Sequence, residues 1–222
     1  MEDGKVMINI LYEDNHLLVV EKPINVPVQA DSSGDIDLLT MLKDYLKEKY
    51  QKEGNVYLGL VHRLDRPVGG VMVFAKTSKA ASRLSEQVRT HMLRKTYLAV
   101  VCGKIETKGN FIDKLLKDRK TNITSVNPNG KVSELSFKRI GYKDNMSLVK
   151  IELKTGRSHQ IRVQFSSRGY PLYGDQKYNI NTPKDSIALF ASSLEFIHPV
   201  SKEKMVFELD KPDRYPFNIF VL

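Results

Sequence analysis

The sequence has a single cysteine, Cys102, which excludes any disulfide bond within the chain. No C-x-x-C pair is present, and no two of its histidines have the i,i+4 spacing of a helical zinc site. No apolar run approaches the roughly 18 residues of a membrane-spanning helix. The stretch from Met1 to Lys5 carries two acids where a signal peptide would become apolar. We therefore expect a cytoplasmic protein with no metal site and no membrane association.

Acidic residues are also in deficit, with 26 Asp and Glu against 35 Lys and Arg, and the formal net charge is +9. Such an excess favours an anionic partner, either a nucleic acid or a membrane surface. Neither a Walker A loop nor a Rossmann fingerprint is present, so we expect no nucleotide cofactor. The charge describes binding preference and says nothing about the fold.

Short apolar, β-rich runs alternate with two helical patterns. Asp37 is the expected N-cap of the first helix, and Thr77 is the expected N-cap of the second. The second helix should bury a stripe made of Ala81, Leu84, Val88 and Met92. The runs expected to form strands are Ile8–Tyr12, Leu17–Val20, Val56–Val61, Val71–Ala75, Tyr97–Val101, Ser133–Ile140, Leu148–Leu153, Ile187–Ile197 and Met205–Leu209. Together they predict one α/β domain of the α+β type over residues 1–222, with largely antiparallel sheet and an extended tail after Pro212.

The segment from Thr107 to Lys131 is basic and rich in turn-forming residues. This composition predicts a loop between strands. A basic loop suits contact with an RNA backbone, and it is equally typical of a mobile surface loop.

Three short stretches carry the chemistry. His62-Arg63-Leu64-Asp65-Arg66 interrupts two apolar runs, and cations on both sides of Asp65 favour its ionised form. An ionised carboxylate can act as a nucleophile or as a base, although the same string also forms ordinary surface salt bridges. The other two stretches are Arg94–Gly103, which contains Lys-Thr-Tyr-Leu-Ala, and Lys154–Val163, which contains Thr-Gly-Arg-Ser-His-Gln-Ile-Arg.

In this order the three stretches resemble the active-site motifs of the RluA family of RNA pseudouridine synthases. That family's pattern reads H-R-L-D, then K-x-Y-x-A, then T-G-R-[TS]-H-Q-[IL]-R, and the resemblance extends from about Ile8 to Asp210. It implies the pseudouridine synthase fold, in which a mixed, largely antiparallel central sheet is flanked by helices and the active cleft follows the sheet. It also implies an isomerase, an intramolecular transferase, that needs neither cofactor nor metal.

The resemblance further implies the roles of single residues. Asp65 matches the catalytic carboxylate, which either attacks C1′ of the ribose or removes a ribose proton. Arg162 matches its guanidinium partner, and Tyr97 matches the tyrosine that stacks on the uracil near its C5 proton. Arg63 matches the residue that enters the RNA and holds the flipped-out nucleotide. Further candidates for RNA contact are Arg66, Lys95, Arg157 and His159, of which the last two are equally compatible with structural roles.

Two departures from the family pattern bear on substrate choice. Val68-Gly69-Gly70 stands where the family usually has Thr-Ser-Gly, and Gln164 stands where it usually has His.

Because the first strand-like run begins near Ile8, we also expect no N-terminal S4-like RNA-binding domain.

The predicted function is isomerisation of uridines in ribosomal or transfer RNA by a monomeric enzyme. The alternatives are a catalytically silent RNA-binding protein of the same fold and a hydrolase or metal-dependent nuclease. The hydrolase or nuclease is disfavoured by the lack of an acidic metal cluster and of a nucleophile elbow.

Overall fold

The computed structural model describes residues 7–221. Within that range the chain forms eleven strands, three α-helices and one 3-10 helix, Phe217–Ile219. The α-helices are α1 (Leu38–Lys49), α2 (Ser78–Arg89) and α3 (Gln160–Ser166). The strands are β1 (Asn9–Glu13), β2 (Leu17–Lys22), β3 (Gly59–Leu60), β4 (Gly69–Ala75), β5 (Arg94–Cys102), β6 (Lys108–Asp118), β7 (Ile123–Val126), β8 (Lys131–Lys143), β9 (Met146–Leu153), β10 (Leu189–Ile197) and β11 (Lys204–Glu208).

The described residues divide into two compact units. The first unit contains residues 7–93 and 194–208, and the second contains residues 94–193 and 209–221. β10 is divided between them after Ser193. The single domain expected from the sequence stays a prediction.

The sheet of the first unit is built around β2. This strand pairs antiparallel with β1 on one side and with β4 on the other, and β4 also pairs antiparallel with β3. Leu17–Val20 are completely buried, and so is nearly all of β4. A continuous apolar run in a strand is typical of a strand covered on both faces.

Both predicted helix caps of the first unit are confirmed. The side chain of Asp37 accepts a hydrogen bond from Thr40 N, and that of Thr77 accepts one from Ala80 N. The buried stripe of α2 is rotated from the predicted one, because Ala80, Leu84 and Gln87 are its buried residues.

Gln87 is tolerated in this stripe because its amide both donates a hydrogen bond to the backbone of one residue and accepts one from it, as a neighbouring strand would. Its Nε2 donates to the carbonyl of Ile197 at 2.7 Å, and its Oε1 accepts from Ile197 N at 2.8 Å. Burying a polar group is acceptable when its hydrogen bonds are made. By contrast Met92, which the stripe was predicted to bury, is 53% exposed.

A buried carboxylate joins the end of β1 to α1 and to the end of β4. Glu13 accepts hydrogen bonds from the Nζ atoms of Lys49 and Lys76, both at 2.7 Å, and from the hydroxyls of Tyr45 and Tyr50 at 2.9 and 2.7 Å. Burial alone would raise the pKa of this carboxyl, but the four donors outweigh it and lower the pKa from 4.5 to about 2.

The sheet of the second unit runs in the order β5-β9-β8-β6-β7, and each of these pairs is antiparallel. The first residues of β10 lie on the other side of β5, where Ser192 Oγ donates to the carbonyl of Thr96 at 3.3 Å. The largely antiparallel architecture predicted from the sequence is therefore confirmed. An apolar cluster of this unit contains Leu98, Val100, Met146, Leu148, Ala188, Phe190, Phe217 and Phe220.

The basic segment from Thr107 to Lys131 is ordered as strands, so its prediction as a loop was wrong. β6 and β7 form a hairpin, and β6 also pairs with β8 over Lys108–Leu115. Phe111 and Leu115 face inward while most of the other side chains are exposed, which is the alternation of a strand covered on one face. We call residues 108–126 the basic arm.

Two smaller predictions also need correction. Only Gly59–Leu60 of the run from Val56 to Val61 is a strand, and it is just long enough to pair with the end of β4. The tail after Pro212 contains the 3-10 helix, whose Phe217 is fully buried.

No α-helix among residues 7–221 is long and apolar enough to span a bilayer. The same residues contain no group of three His, Cys, Asp or Glu side chains arranged to bind a metal ion.

The Glu13 cluster predicts how the stability of the protein depends on pH. At pH 7, Glu13→Gln should lower the free energy of unfolding by about 2 kcal/mol, because a charged acceptor shared by four donors is lost. Because folding lowers the pKa of Glu13 to about 2, its contribution is present above pH 4.5 and disappears as the pH falls toward 2. Urea unfolding of both proteins should show a difference that is largest at pH 7 and shrinks at pH 3.

Glu48→Gln is the matched control, since Glu48 is exposed on α1. It should change the free energy of unfolding by less than about 0.5 kcal/mol at each pH. Equal effects of the two substitutions at pH 7 would contradict the role given to Glu13.

Candidate active site

Asp65 lies on the loop between β3 and β4 in the first unit. The side chains alternate along it, so His62 and Leu64 are buried, Arg63 is exposed and Asp65 is partly exposed. The carbonyl of Asp65 accepts a hydrogen bond from Val68 N at 2.9 Å, which closes a tight turn directly after it. This arrangement presents Asp65 at a bend with Arg63 directed toward solvent.

His62 holds the start of this loop against β4. Its Nε2 accepts a hydrogen bond from Val73 N at 3.1 Å, in a position where the side chain is only 8% exposed. Through this contact His62 braces the loop against β4.

A buried lysine holds the other side of the turn, and sequence reasoning missed it. Lys22, at the end of β2, is 1% exposed, and its Nζ donates to the carbonyls of Pro23, Arg66 and Val68 at 2.8, 2.9 and 2.8 Å. Three carbonyl acceptors match the three N–H donors of an ammonium group. The only available signal was a Lys at the end of a strand that begins with four apolar residues, just before Pro23.

The pKa of Lys22 reflects its burial and its nearness to Asp65. Burial lowers it from 10.5 to about 7, the negative charge of Asp65 acts against this shift, and the positive charge of Arg66 adds to it. Lys22 is thus electrostatically coupled to the Asp65 loop as well as hydrogen-bonded to it.

Arg66 is occupied by other acids of the first unit. Its guanidinium pairs with Asp35, lies 3.8 Å from a carboxylate oxygen of Asp31, and donates from Nε to the carbonyl of Asn25 at 3.2 Å. These contacts tie the loop before α1 to the Asp65 turn. They give Arg66 a structural role in addition to the RNA contact expected of it.

In the second unit, β5 places Lys95 and Tyr97 two residues apart and therefore on the same face. Tyr97 is 6% exposed. The Nζ of Lys95 lies close to Gly156, where an added Cβ would stand 3.1 Å from it. Burial lowers the pKa of Lys95. Glycine at 156 is thus what lets the lysine approach the turn before α3.

That turn is fixed by a small hydrogen-bond network around Thr155 and Gln160. Thr155 Oγ1 donates to Gln160 Oε1 at 2.8 Å and accepts from Glu134 N at 2.8 Å. Gln160 Oε1 also accepts from Arg157 N at 3.0 Å, and Gln160 Nε2 donates to the carbonyl of Glu134 at 3.0 Å. The Thr-Gly-Arg-Ser-His-Gln stretch therefore sets the start of α3 against β8.

Arg157 and His159 are both held by this turn. Arg157 is exposed, but its Nε donates to the carbonyl of Val132 at 3.1 Å. His159 has a left-handed backbone with φ 53°, and its Nδ1 lies 2.7 Å from the hydroxyl of Tyr178. Each has a structural contact in addition to the RNA contact expected of it.

Arg162 is a buried guanidinium with a buried carboxylate partner. It is 6% exposed, and it donates from Nε to Asp175 Oδ2 at 2.8 Å and from Nη2 to Asp175 Oδ1 at 2.6 Å. Asp175 is 1% exposed, and its Oδ1 also accepts from Lys177 N at 3.1 Å. A two-point contact sets the plane of the guanidinium as well as its position.

Asp175 was missed as a site residue by the sequence analysis. The signal available was an acid directly after Gly174, whose φ is 73° and where an added Cβ would stand 2.5 Å from the carbonyl oxygen of Ser186. Only glycine fits such a position. It lets Asp175 turn inward beneath α3.

Gln164 was noted as a departure from the family pattern, and it too is buried, at 0% exposure. Its Nε2 donates to Asp113 Oδ2 at 2.7 Å, and Asp113 is further paired with Arg168 at 2.9 and 3.0 Å. Gln164 therefore connects α3 to β6.

The structure thus groups the predicted residues within each unit. Arg63, Asp65 and Arg66 share one loop of the first unit. In the second unit, Lys95 and Tyr97 share one face of β5, and Lys95 meets the turn before α3. That turn and the helix carry the remaining three, namely Arg157, His159 and Arg162.

Comparison with known proteins identifies relatives of the chain. The profile of the RNA pseudouridylate synthase family matches residues 16–167. An uncharacterized RNA pseudouridine synthase of Bacillus subtilis is 35% identical over 92% of this chain and 69% of its own length. Ribosomal large subunit pseudouridine synthase C of Vibrio cholerae is 34% identical over 88% of this chain and 63% of its own length. The chain thus spans about two thirds of the length of these relatives.

Two solved human structures share the fold. RNA pseudouridylate synthase domain containing 4 superposes with a TM-score of 0.76 at 22% identity, over 92% of this chain and 88% of the other. RNA pseudouridylate synthase domain containing 1 also has a TM-score of 0.76, at 23% identity over 96% of this chain and 87% of the other. The resemblance of the three motifs is thereby confirmed, and the chain belongs to the RNA pseudouridylate synthase family.

Proposed function

We propose that this chain is an isomerase that converts uridine to pseudouridine in RNA, with Asp65 as the catalytic carboxylate. The observation that carries this proposal is the Asp65 turn, whose backbone is fixed on both sides by buried side chains, Lys22 and His62. A carboxylate on a firmly held bend next to an exposed arginine suits attack on a ribose at the RNA surface. Family membership supports the same reaction.

The reaction breaks the N1–C1′ bond, turns the uracil, and forms a C5–C1′ bond; the C5 proton leaves and N1 takes up a proton, so the product is an isomer of the substrate. Asp65 either forms a transient bond to C1′ or removes a ribose proton, and both routes need its ionised form. We assign Arg162 as the cation that favours this form, on the strength of the motif it matches. Asp175 contributes by holding the guanidinium in one orientation.

We assign Tyr97 to the uracil. Its buried position on β5 provides a rigid ring that can stack on a base in transit, at little entropic cost. Lys95, two residues earlier on the same face, is suited to a phosphate of the same nucleotide, because its Nζ lies against Gly156 with no carboxylate bonded to it among the described residues.

The substrate proposed is ribosomal RNA, because relatives of this chain from Vibrio cholerae and Nitrosomonas europaea are named as ribosomal large subunit pseudouridine synthases C and D. Exposed Arg63 is assigned to holding the nucleotide after it leaves its stack, a step that costs a few kcal/mol. Transfer RNA as a further substrate, the monomeric state and the cytoplasmic location stay predictions.

Turnover should depend on the carboxylate of Asp65. Asp65→Asn should reduce tritium release from RNA labelled at uridine C5 by about 10³-fold or more, because the reaction loses the group that acts at the ribose. The assay uses transcribed ribosomal and transfer RNA, contains EDTA, and follows RNA length in parallel. Isomerisation predicts release without shortening of the RNA.

Asp44→Asn serves as the control, since Asp44 is exposed on α1, and it should keep wild-type release. Salt-sensitive binding of RNA without tritium release from either ribosomal or transfer RNA would favour the catalytically silent RNA-binding protein. Shortened RNA whose formation EDTA abolishes would favour a nuclease.

Lys22 should act as a positioning residue for the Asp65 turn. Lys22→Met should lower kcat roughly 10- to 100-fold while KM for RNA changes less than about threefold, because a displacement of the Asp65 turn by about 1 Å affects chemistry more than binding. The three carbonyls left without donors should also lower the melting temperature. Steady-state kinetics on tritiated RNA and thermal unfolding measure both effects.

Lys47→Met on the exposed face of α1 is the matched control and should leave both quantities unchanged. If Lys22→Met raises KM with kcat intact, then Lys22 contributes to RNA binding instead of holding Asp65.

A further inference from the structure

One short segment of the second unit contacts both α3 and the basic arm. Residues 175–178 follow the turn at Gly174, and they include Asp175, which holds Arg162. The same four residues include Lys177 and Tyr178, whose side chains reach the arm. Neither of these two residues was singled out in the sequence.

The contacts with the arm lie at its tip. The hydroxyl of Tyr178 accepts a hydrogen bond from Thr124 N at 2.8 Å, and Lys177 Nζ donates to the carbonyl of Asn122 at 3.1 Å. β7 is the last strand of the order in this unit, so among the described residues no further strand pairs with the outward backbone groups of Thr124. Thr124 is 3% exposed although its neighbours at the tip are exposed. The hydroxyl of Tyr178 therefore provides the acceptor that a neighbouring strand would otherwise provide for Thr124 N.

The contacts with α3 involve both the ring and the hydroxyl of Tyr178. The guanidinium carbon of Arg162 lies 5.2 Å from the centre of the ring, within the range of a cation–π contact. The hydroxyl lies 2.7 Å from His159 Nδ1. A phenol has one proton, and since this hydroxyl accepts from Thr124 N it is placed to donate to His159.

The phenol of Tyr178 stays protonated, and the backbone of the same residue is held by hydrogen bonds. Burial raises the pKa of the phenol, partly offset by hydrogen bonding from Thr124 and the charge of Arg162, so the donor proton is retained at neutral pH. The carbonyl of Tyr178 accepts from Ser166 Oγ at 2.8 Å, and its N–H donates to Asp175 Oδ1 at 3.3 Å. The side chain is thus fixed from both ends.

The arm that Tyr178 holds is strongly cationic. Its exposed cations are Lys108, Lys114, Lys117, Arg119 and Lys120. Three of them lie at or near the tip, within a few residues of Thr124. Cations on a hairpin of fixed direction can meet the phosphates of a folded RNA at defined positions.

We propose that Tyr178 is a positioning residue that couples RNA contact by the basic arm to the orientation of Arg162. Its hydroxyl fixes the arm and His159, and its ring supports the guanidinium. The inference rests on the proposed function, since the arm and Arg162 are taken to act on one RNA. The hydroxyl and the ring of Tyr178 thus have separate roles, and substitutions that remove one or both can distinguish them.

The test compares Tyr178→Phe and Tyr178→Leu, with Tyr173→Phe as control because Tyr173 lies in the same stretch and packs on the apolar cluster. Tyr178→Phe keeps the ring and loses the hydroxyl, so KM for folded RNA should rise about 5- to 10-fold with kcat within about twofold. Tyr178→Leu loses both and should also lower kcat about tenfold. Tyr173→Phe should match wild type.

A double-mutant cycle then tests the coupling itself. In a protein that carries Arg119→Ala and Lys120→Ala, KM is already raised, and Tyr178→Phe should raise it by less than about twofold more, since the hydroxyl acts through the arm. The coupling is refuted if Tyr178→Phe raises KM equally in both backgrounds. It is also refuted if Tyr178→Phe leaves KM unchanged, or if kcat falls in parallel with the melting temperature at constant KM.

Two measurements that do not require turnover separate this inference from the proposed function. Hydrogen exchange at the Thr124 amide should be faster in Tyr178→Phe than in wild type, and the dissociation constants for RNA should follow the same double-mutant pattern. A wild-type protein that releases no tritium refutes the proposed function, and the dissociation constants then decide whether Tyr178 acts through the arm. Unchanged exchange at Thr124 refutes the link.

Discussion

The second unit depends on the pairing of Arg162 with Asp175. Both side chains are almost completely removed from solvent, so either one alone would leave an uncompensated charge in a medium that solvates it poorly. The two-point contact defines the plane of the guanidinium, and the ring of Tyr178 covers one of its faces. The guanidinium is therefore desolvated and oriented in advance, which is what the catalytic role proposed for Arg162 requires.

The first unit buries a cation by a different means. Lys22 is surrounded by three backbone carbonyls, so its hydrogen bonds are complete although it has no carboxylate bonded to it among the described residues. The two solutions suit two purposes. A carboxylate partner orients a side chain, whereas carbonyl partners use a side chain to fix the backbone, which here is the turn that carries Asp65.

Local chemistry explains which parts of the fold were predictable from sequence. The caps at Asp37 and Thr77 and most of the strand runs follow from short-range preferences, and they appear where expected. The prediction of the buried stripe of α2 was wrong because a polar side chain can also be buried when its hydrogen bonds are made. The amide of Gln87 makes both of its bonds to the backbone of Ile197. The prediction of a loop for the basic arm was wrong because charged and turn-forming residues obscure the alternation of buried and exposed side chains along β6. Phe111 and Leu115 are buried on one face of this strand, which pairs with β8.

The candidate site was predicted unevenly for a related reason. Resemblance to a family assigns Asp65, Tyr97 and Arg162, since these residues stand inside recognisable strings. The side chains that hold the Asp65 turn and Arg162, namely Lys22, Asp175 and Tyr178, stand outside these strings and act through contacts that a linear pattern does not show. Lys22 reaches Val68 only once β2 lies beside β4, and Arg162 reaches Asp175 only once the turn at Gly174 brings this acid back to α3.

The covering of β7 by Tyr178 has a consequence for the behaviour of the protein in concentrated solution. An uncovered outer strand offers a row of backbone groups on which another polypeptide can add itself, and this is a common beginning of aggregation. Here the strand is four residues long and rich in β-branched side chains, a composition that would favour such addition. Because Thr124 N already donates to a phenol hydroxyl of its own chain, this backbone donor of the edge is closed to an added strand.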